Sequence, residues 1–251
     1  AKDGVAGTSS TVSTFDGTAY TDTGNDLLTV MQDNALVGTS TAALQPGGNN
    51  LVNTTHVESY DGSAWTSETS MPAGGNNGHG CGTDTDCHVT CSGYEWDGAT
   101  WTDVANLPEF GAGHKMVGST TAANAVGGIG STISHKPVHY SWNGTAWTEE
   151  PDPNNGHNDS VNQGYISAAG AGDDVLVWGG GTAPAVYSER TSYFDGTAWS
   201  TKQDNPMNVG YQGCWGSSTE AVGVSGITQY NNGSSYQNYS WAYTEPPAEV
   251  L

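Results

Sequence analysis

The densest chemistry in the sequence lies between positions 79 and 91, where His79, Cys81, Asp84, Asp86, Cys87, His88 and Cys91 crowd together. Imidazole and thiolate are the usual ligands of zinc. The cysteine spacing, Cys-x5-Cys-x3-Cys, lacks the two-residue knuckle of most zinc sites. Cys214 brings the cysteine count to four. An even count in Gly/Thr/Asp-rich sequence favours disulfides and an oxidising compartment. A turn over residues 83–86 would bring Cys81 near Cys87 and leave Cys91 for Cys214, one of three pairings open to four cysteines.

A second candidate is the segment Asp152-Pro-Asn-Asn-Gly-His-Asn-Asp159. Asp152, Asn154, Asn158 and Asp159 alternate oxygen ligands around a Gly, which suits a hard cation such as calcium. The segment has no terminal bidentate Glu, and a plain turn uses the same residues. Asp173-Asp174 and Asn25-Asp26 are weaker versions. Trp178 and Trp215 stand outside the repeat described below and are candidates for stacking on a sugar ring. Five Asn-x-Ser/Thr triplets begin at Asn53, Asn143, Asn158, Asn232 and Asn238. Such triplets accept glycans in secreted proteins. No nucleophile elbow, phosphate loop or His-Glu-x-x-His run occurs, so the chain is read as non-enzymatic.

The elements that must position these residues come from a repeat. An aromatic, Asp or Asn, Gly, two small residues, an aromatic and Thr or Ser recur as FDGTAYT from Phe15, YDGSAWT from Tyr60, WDGATWT from Trp96, WNGTAWT from Trp142 and FDGTAWS from Phe194. YSWAYTE from Tyr239 reads as a shortened sixth copy without its turn. Asp-Gly or Asn-Gly between strand-like residues predicts a hairpin with a two-residue turn. Phe194 would then pair with Thr197, with Trp199 diagonal to Phe194 on the same face. The predicted structural aromatics are Tyr60/Trp65, Trp96/Trp101, Trp142/Trp147 and Phe194/Trp199, with Phe15/Tyr20 ahead of them.

Gly doublets at Gly47-Gly48, Gly127-Gly128 and Gly179-Gly180 follow short apolar segments and keep step with the motif, as do Pro72, Pro108, Pro153 and Pro206. Each unit therefore reads as four antiparallel strands in about 45 residues, the sequence form of a propeller blade. The expected fold is an all-β propeller of four-stranded antiparallel blades over residues 11–245, five blades being favoured over six. Residues 1–10 form an extension and residues 246–251 a tail. Six outer hairpins against five inner pairs leave the hairpin at 15–21 surplus. It either closes the ring beside the last blade, the favoured reading, or adds to a neighbouring subunit.

The Gly doublet, the aromatic before the turn, the Trp five residues on and the following Pro resemble kelch repeats. The Asp-Gly-Thr-Ala-Trp variant is similar to repeats of phage tail fibres and of microbial extracellular surface proteins. The Arg that usually follows the Pro in kelch repeats is absent, so links between blades must come from other residues. The resemblance implies an extracellular structural protein, a repeating subunit of a surface filament or virion appendage. The alternative is a secreted lectin-like or adhesion propeller.

Composition narrows the partners. A net charge of −21 repels nucleic acid and anionic membranes. No apolar run approaches the roughly 18 residues of a membrane span. Such a surface suits a saline medium or bound divalent cations, which relieve self-repulsion. The expected partners are further copies of the chain and, in the alternative reading, glycans. Calcium is the one cofactor considered.

Overall fold

A computed structural model describes residues 10–15, 19–31, 34–49, 52, 54–74, 79–89, 93–108, 112–129, 138–153, 164–182, 186–210, 212–224, 227–230, 233–236 and 240–244. The chain has the all-β propeller fold, five antiparallel blades on a four-strand plan, with no helix among the described residues. It divides into two compact units, Ala1–Leu107 and Pro108–Leu251.

The first unit opens with a hairpin of β1 (Ser13–Phe15) and β2 (Tyr20–Asp22). Blade one follows as β3 (Val37–Thr39), β4 (Ala42–Pro46), β5 (Val57–Tyr60) and β6 (Trp65–Ser67), in that order across the sheet. Blade two repeats it with β7 (Gly80–Gly82), β8 (Cys87–Val89), β9 (Tyr94–Trp96) and β10 (Trp101–Asp103). Val37, Leu44, Val57 and Met71 of the first blade bury themselves against Cys87, Val89 and Trp96 of the second.

The second unit begins with blade three, β11 (Ala112–Ser119), β12 (Ala122–Ile129), β13 (His139–Trp142) and β14 (Trp147–Glu149). Blade four is β15 (Gly164–Ala171), β16 (Asp174–Thr182), β17 (Val186–Tyr187), β18 (Thr191–Phe194) and β19 (Trp199–Thr201), with β17 a short addition beside β16. Blade five contains β20 (Gly213–Gly216) and β21 (Glu220–Val224). A separate hairpin of β22 (Ile227–Tyr230) and β23 (Gly233–Tyr236) leads to β24 (Ser240–Thr244), which pairs with β21. Val126 packs on Val175, Val177 and Phe194, joining blades three and four. Leu176 and Trp178 pack on Ala221 and Tyr243, joining blades four and five.

One glycine per blade sets the inner hairpin. Gly38, Gly82, Gly118, Gly170 and Gly216 all have φ between 103° and 121°. Each faces the residue just past the following turn: Ala43, Cys87, Ala123, Val175 and Ala221. A Cβ there would run into the carbonyl oxygen of the residue just before that partner, so no side chain fits. This glycine, five residues ahead of a small apolar one, is a second repeat mark that the aromatic motif overshadows in the sequence.

The outer hairpins differ from expectation by two residues of register. Phe194 stands directly opposite Trp199, as Tyr60 does Trp65, Trp96 does Trp101 and Trp142 does Trp147. The connection is therefore four residues, not two. Asp195 explains it: its Oδ1 accepts the backbone N–H groups of Thr197 and Ala198 at 2.9 and 2.8 Å, while Gly196 takes φ 87°. The side chain rather than a two-residue backbone turn closes the loop.

YSWAYTE is also reassigned. It is no shortened hairpin but the single strand β24, with Tyr243 opposite Ala221 in the slot that Phe194 fills opposite Val175.

Candidate functional site

The repeated aromatics share one face of each outer hairpin as expected, though directly opposite rather than diagonal, and their work is internal. The pairs sit with ring centroids 5.1–5.3 Å apart in blades one to four. Such pairs are worth about 1 kcal/mol beyond the area they bury. The outer Trp also links its blade to the chain before it. Trp101 of blade two donates its indole N–H to the carbonyl of Thr69, on the chain leaving blade one, at 2.9 Å. Trp199 of blade four donates to Pro151, on the chain leaving blade three, at 2.7 Å. Trp65 of blade one donates to Asn25, on the chain leaving the first hairpin, at 3.1 Å. With Val12 and Leu27 packed on Tyr60 and Trp65, that hairpin is docked on blade one as one outer hairpin docks on the next blade.

The cysteines are not a separate cluster. Cys81 occupies the register position of Val37, Val117, Ala169 and Trp215; Cys87 that of Ala43, Ala123, Val175 and Ala221. Both are free thiols, buried as small apolar residues would be. The expected Cys81–Cys87 disulfide does not form, for a reason of register. Cys81 faces His88 and Cys87 faces Gly82, so their side chains leave opposite faces of the blade. Cys214 is likewise a free thiol, its sulfur accepting the N–H of Ala168 at 3.4 Å. Cys91 lies outside the described residues.

Register brings one chemically notable rung together: Cys81 opposite His88, and His88 opposite Glu95, with His88 Nδ1 3.1 Å from Glu95 Oε1. Thiol, imidazole and carboxylate in a row are the parts of a nucleophile with its base and orienter. The electrostatics oppose that use. Burial pushes the Cys81 thiol well up, aided by Cys87 and Glu95, so the reactive thiolate is suppressed. Burial also pushes His88 down to about 4. His88 has no exposed surface through which a substrate could reach it.

A parallel polar chain crosses from blade three to blade four. His139 Nε2 lies 2.8 Å from Asn124 Oδ1, and Asn124 Nδ2 donates to the carbonyl of Gly172 at 2.6 Å. The His139 ring meets Phe194 and Trp199 edge-on. Burial lowers its pKa to about 4, against a smaller opposing contribution from the Pro151 backbone. In blade one the buried carboxylate of Glu58 accepts the N–H groups of Leu28 and Thr29 at 2.8 and 2.9 Å, with His56 Nε2 at 2.8 Å. It fixes the segment between the first hairpin and β3, a role the sequence reading missed.

The remaining predicted positions divide. Asp152 is exposed, while Asn154, Asn158 and Asp159 lie outside the described residues. No group of three His, Cys, Asp or Glu side chains that could hold a metal occurs among the described residues. Trp178 is corrected: it is core, 1% exposed, its indole donating to Gln212 Oε1 at 2.8 Å, so neither ring face is open to a sugar. Trp215 on β20 is 44% exposed and keeps its surface.

No family model matches the chain, and no curated protein matches it. Solved structures do match. One described as "Structure of YjhT" superposes with a TM-score of 0.64 over 85% of this chain and 82% of that chain, at 13% identity. At that identity the likeness bears on fold alone.

Proposed function

We propose that the chain is a non-enzymatic extracellular structural protein, a repeating subunit of a surface filament or virion appendage. The observation that supports this is how the recurring residues are used. The paired aromatics stack within blades, their indoles tie one blade to the chain leaving the element before it, and the recurring Asp closes the turn between them. The repeat is thus invested in a rigid scaffold. The kelch-like motif and its resemblance to phage tail-fibre repeats fit the same reading. A surface of charge −21 needs screening before copies can meet, so divalent cations such as calcium are the expected bridges. Sedimentation velocity with and without millimolar calcium tests this: large species that collapse on chelation support it, and one small species in both conditions argues against it.

Trp215 supports a second reading, a lectin-like or adhesion propeller. A large exposed aromatic on an inner strand offers a stacking face. A glycan array with Trp215→Ala as control tests it, and equal signals from the two proteins would sink it.

A further inference from the structure

The four described hairpin turns share one geometry but not one residue. Asp61, Asp97, Asn143 and Asp195 each use Oδ1 to accept the backbone N–H groups two and three residues on, at 2.7–3.0 Å. A carboxylate is the stronger acceptor for this task. The turn therefore gives no reason for an amide in blade three. What Asn143 adds over Asp is a second atom, Nδ2.

That atom lies in an acceptor triplet. Asn143-Gly144-Thr145 has the required hydroxyl residue at its third position. Asn143 and Thr145 are both exposed at a hairpin tip. The Oδ1 atom of Asn143 is engaged with the backbone of Thr145 and Ala146, and no described hydrogen bond uses Nδ2. The Thr145 hydroxyl takes part in none either, whereas in the first blade Ser63 Oγ turns back on Asp61 at 2.7 Å. The Trp142/Trp147 pair behind the tip holds the turn in place without covering it.

We propose that Asn143 is an N-glycosylation site, taking an oligosaccharide from a polyprenyl-pyrophosphate donor. In the transfer Nδ2 attacks the anomeric carbon, an N–C bond forms, and Nδ2 gives up one proton. The C–O bond to the pyrophosphate breaks and the pyrophosphate leaves with its electron pair. The assignment rests on the extracellular reading, since the donor is met on the secretory route.

The test is expression of the whole chain behind a signal peptide in a eukaryotic secretory host, followed by peptide mapping of the folded, exported protein. The peptide holding Asn143 should carry N-acetylhexosamine and hexose, and release by an N-glycanase should leave Asp at 143. Asn143→Asp and Thr145→Ala should each abolish the modification at this peptide. Asn143→Asp should do so without lowering the melting temperature, since Asp195 already closes the same turn. Exported, folded protein with bare Asn143 overturns the site and leaves the extracellular reading standing. Conversion of Asn143 to Asp without any sugar, the mark of deamidation, overturns it too. Failure of a folded chain to be exported overturns both.

Discussion

Trp199 donates its indole N–H to the carbonyl oxygen of Pro151 at 2.7 Å while its ring lies opposite Phe194. The same side chain therefore builds its own blade and ties it to the chain leaving the one before. The two contributions separate by substitution. Trp199→Phe keeps an aromatic and loses the hydrogen bond, with an expected cost of about 1 kcal/mol. Trp199→Ala loses the packing as well, at a cost of about 3 kcal/mol. Urea unfolding measures both, as lower midpoints at unchanged slope; an unchanged midpoint for Trp199→Phe would show that the indole bond contributes nothing, and equal costs for the two variants that the ring packing contributes nothing beyond it.

Asp195 closes its turn by accepting two backbone donors, and those bonds, Ala198 first, lower its carboxyl pKa. Asp61 is lowered to about 2, its bond from the Ser63 hydroxyl being the largest cause. A carboxylate whose folded pKa is depressed stabilises above its unfolded value, and that contribution fades as pH falls through the folded one. Asp195→Asn should leave stability near neutral pH little changed, as Asn143 fills the same role. It should also remove that turn's share of acid sensitivity below about pH 4. Asp195→Ala should lower the melting temperature at every pH above that. Thermal melts of the three proteins from pH 2 to 7 decide it.

His88 and His139 are both buried and held near a pKa of about 4 by desolvation. Unfolded histidine titrates near 6.5. Between these values the unfolded chain binds more protons, so stability rises with pH across the window and falls as pH drops from about 6.5 to 4. Each histidine contributes on the order of 3 kcal/mol to that fall. His139→Gln should flatten the pH dependence in this window by one histidine's share, read from denaturant midpoints at pH 4.5 and 7. An unchanged slope would mean that His139 does not remain neutral in the fold.

Cys81 and Cys87 are free, buried and held as thiols. A thiol reagent should label neither in the native protein and both after unfolding, with mass mapping of the two peptides as the readout. A native Cys81–Cys87 disulfide found by the same mapping would contradict the register of β7 and β8.

The aromatic repeat made the blades legible because each pair carries both a turn signal and a packing partner. Its register was misread by two residues: the Asp side chain rather than the backbone closes the turn, so Phe194 faces Trp199 and not Thr197. The cysteines were misread because they stood out chemically while their slot did not. Gly82 and Cys87 repeat Gly118 and Ala123, a five-residue spacing that becomes meaningful only when the positive φ of the glycine is seen. Trp178 was misread in the same way, since its absence from the aromatic motif says nothing of the blade-to-blade core it fills. Glu58 had no sequence signal, because the backbone donors it accepts are about 30 positions away. The candidate calcium segment is untouched beyond Asp152, because its other three positions lie outside the described residues.

The most direct test of the structural-subunit reading is negative-stain electron microscopy of the purified chain, with millimolar calcium and again after chelation. Ordered filaments or regular arrays that disperse when the cation is removed are the expected result. Single compact particles under both conditions would contradict it and leave the exposed Trp215 face as the feature to pursue.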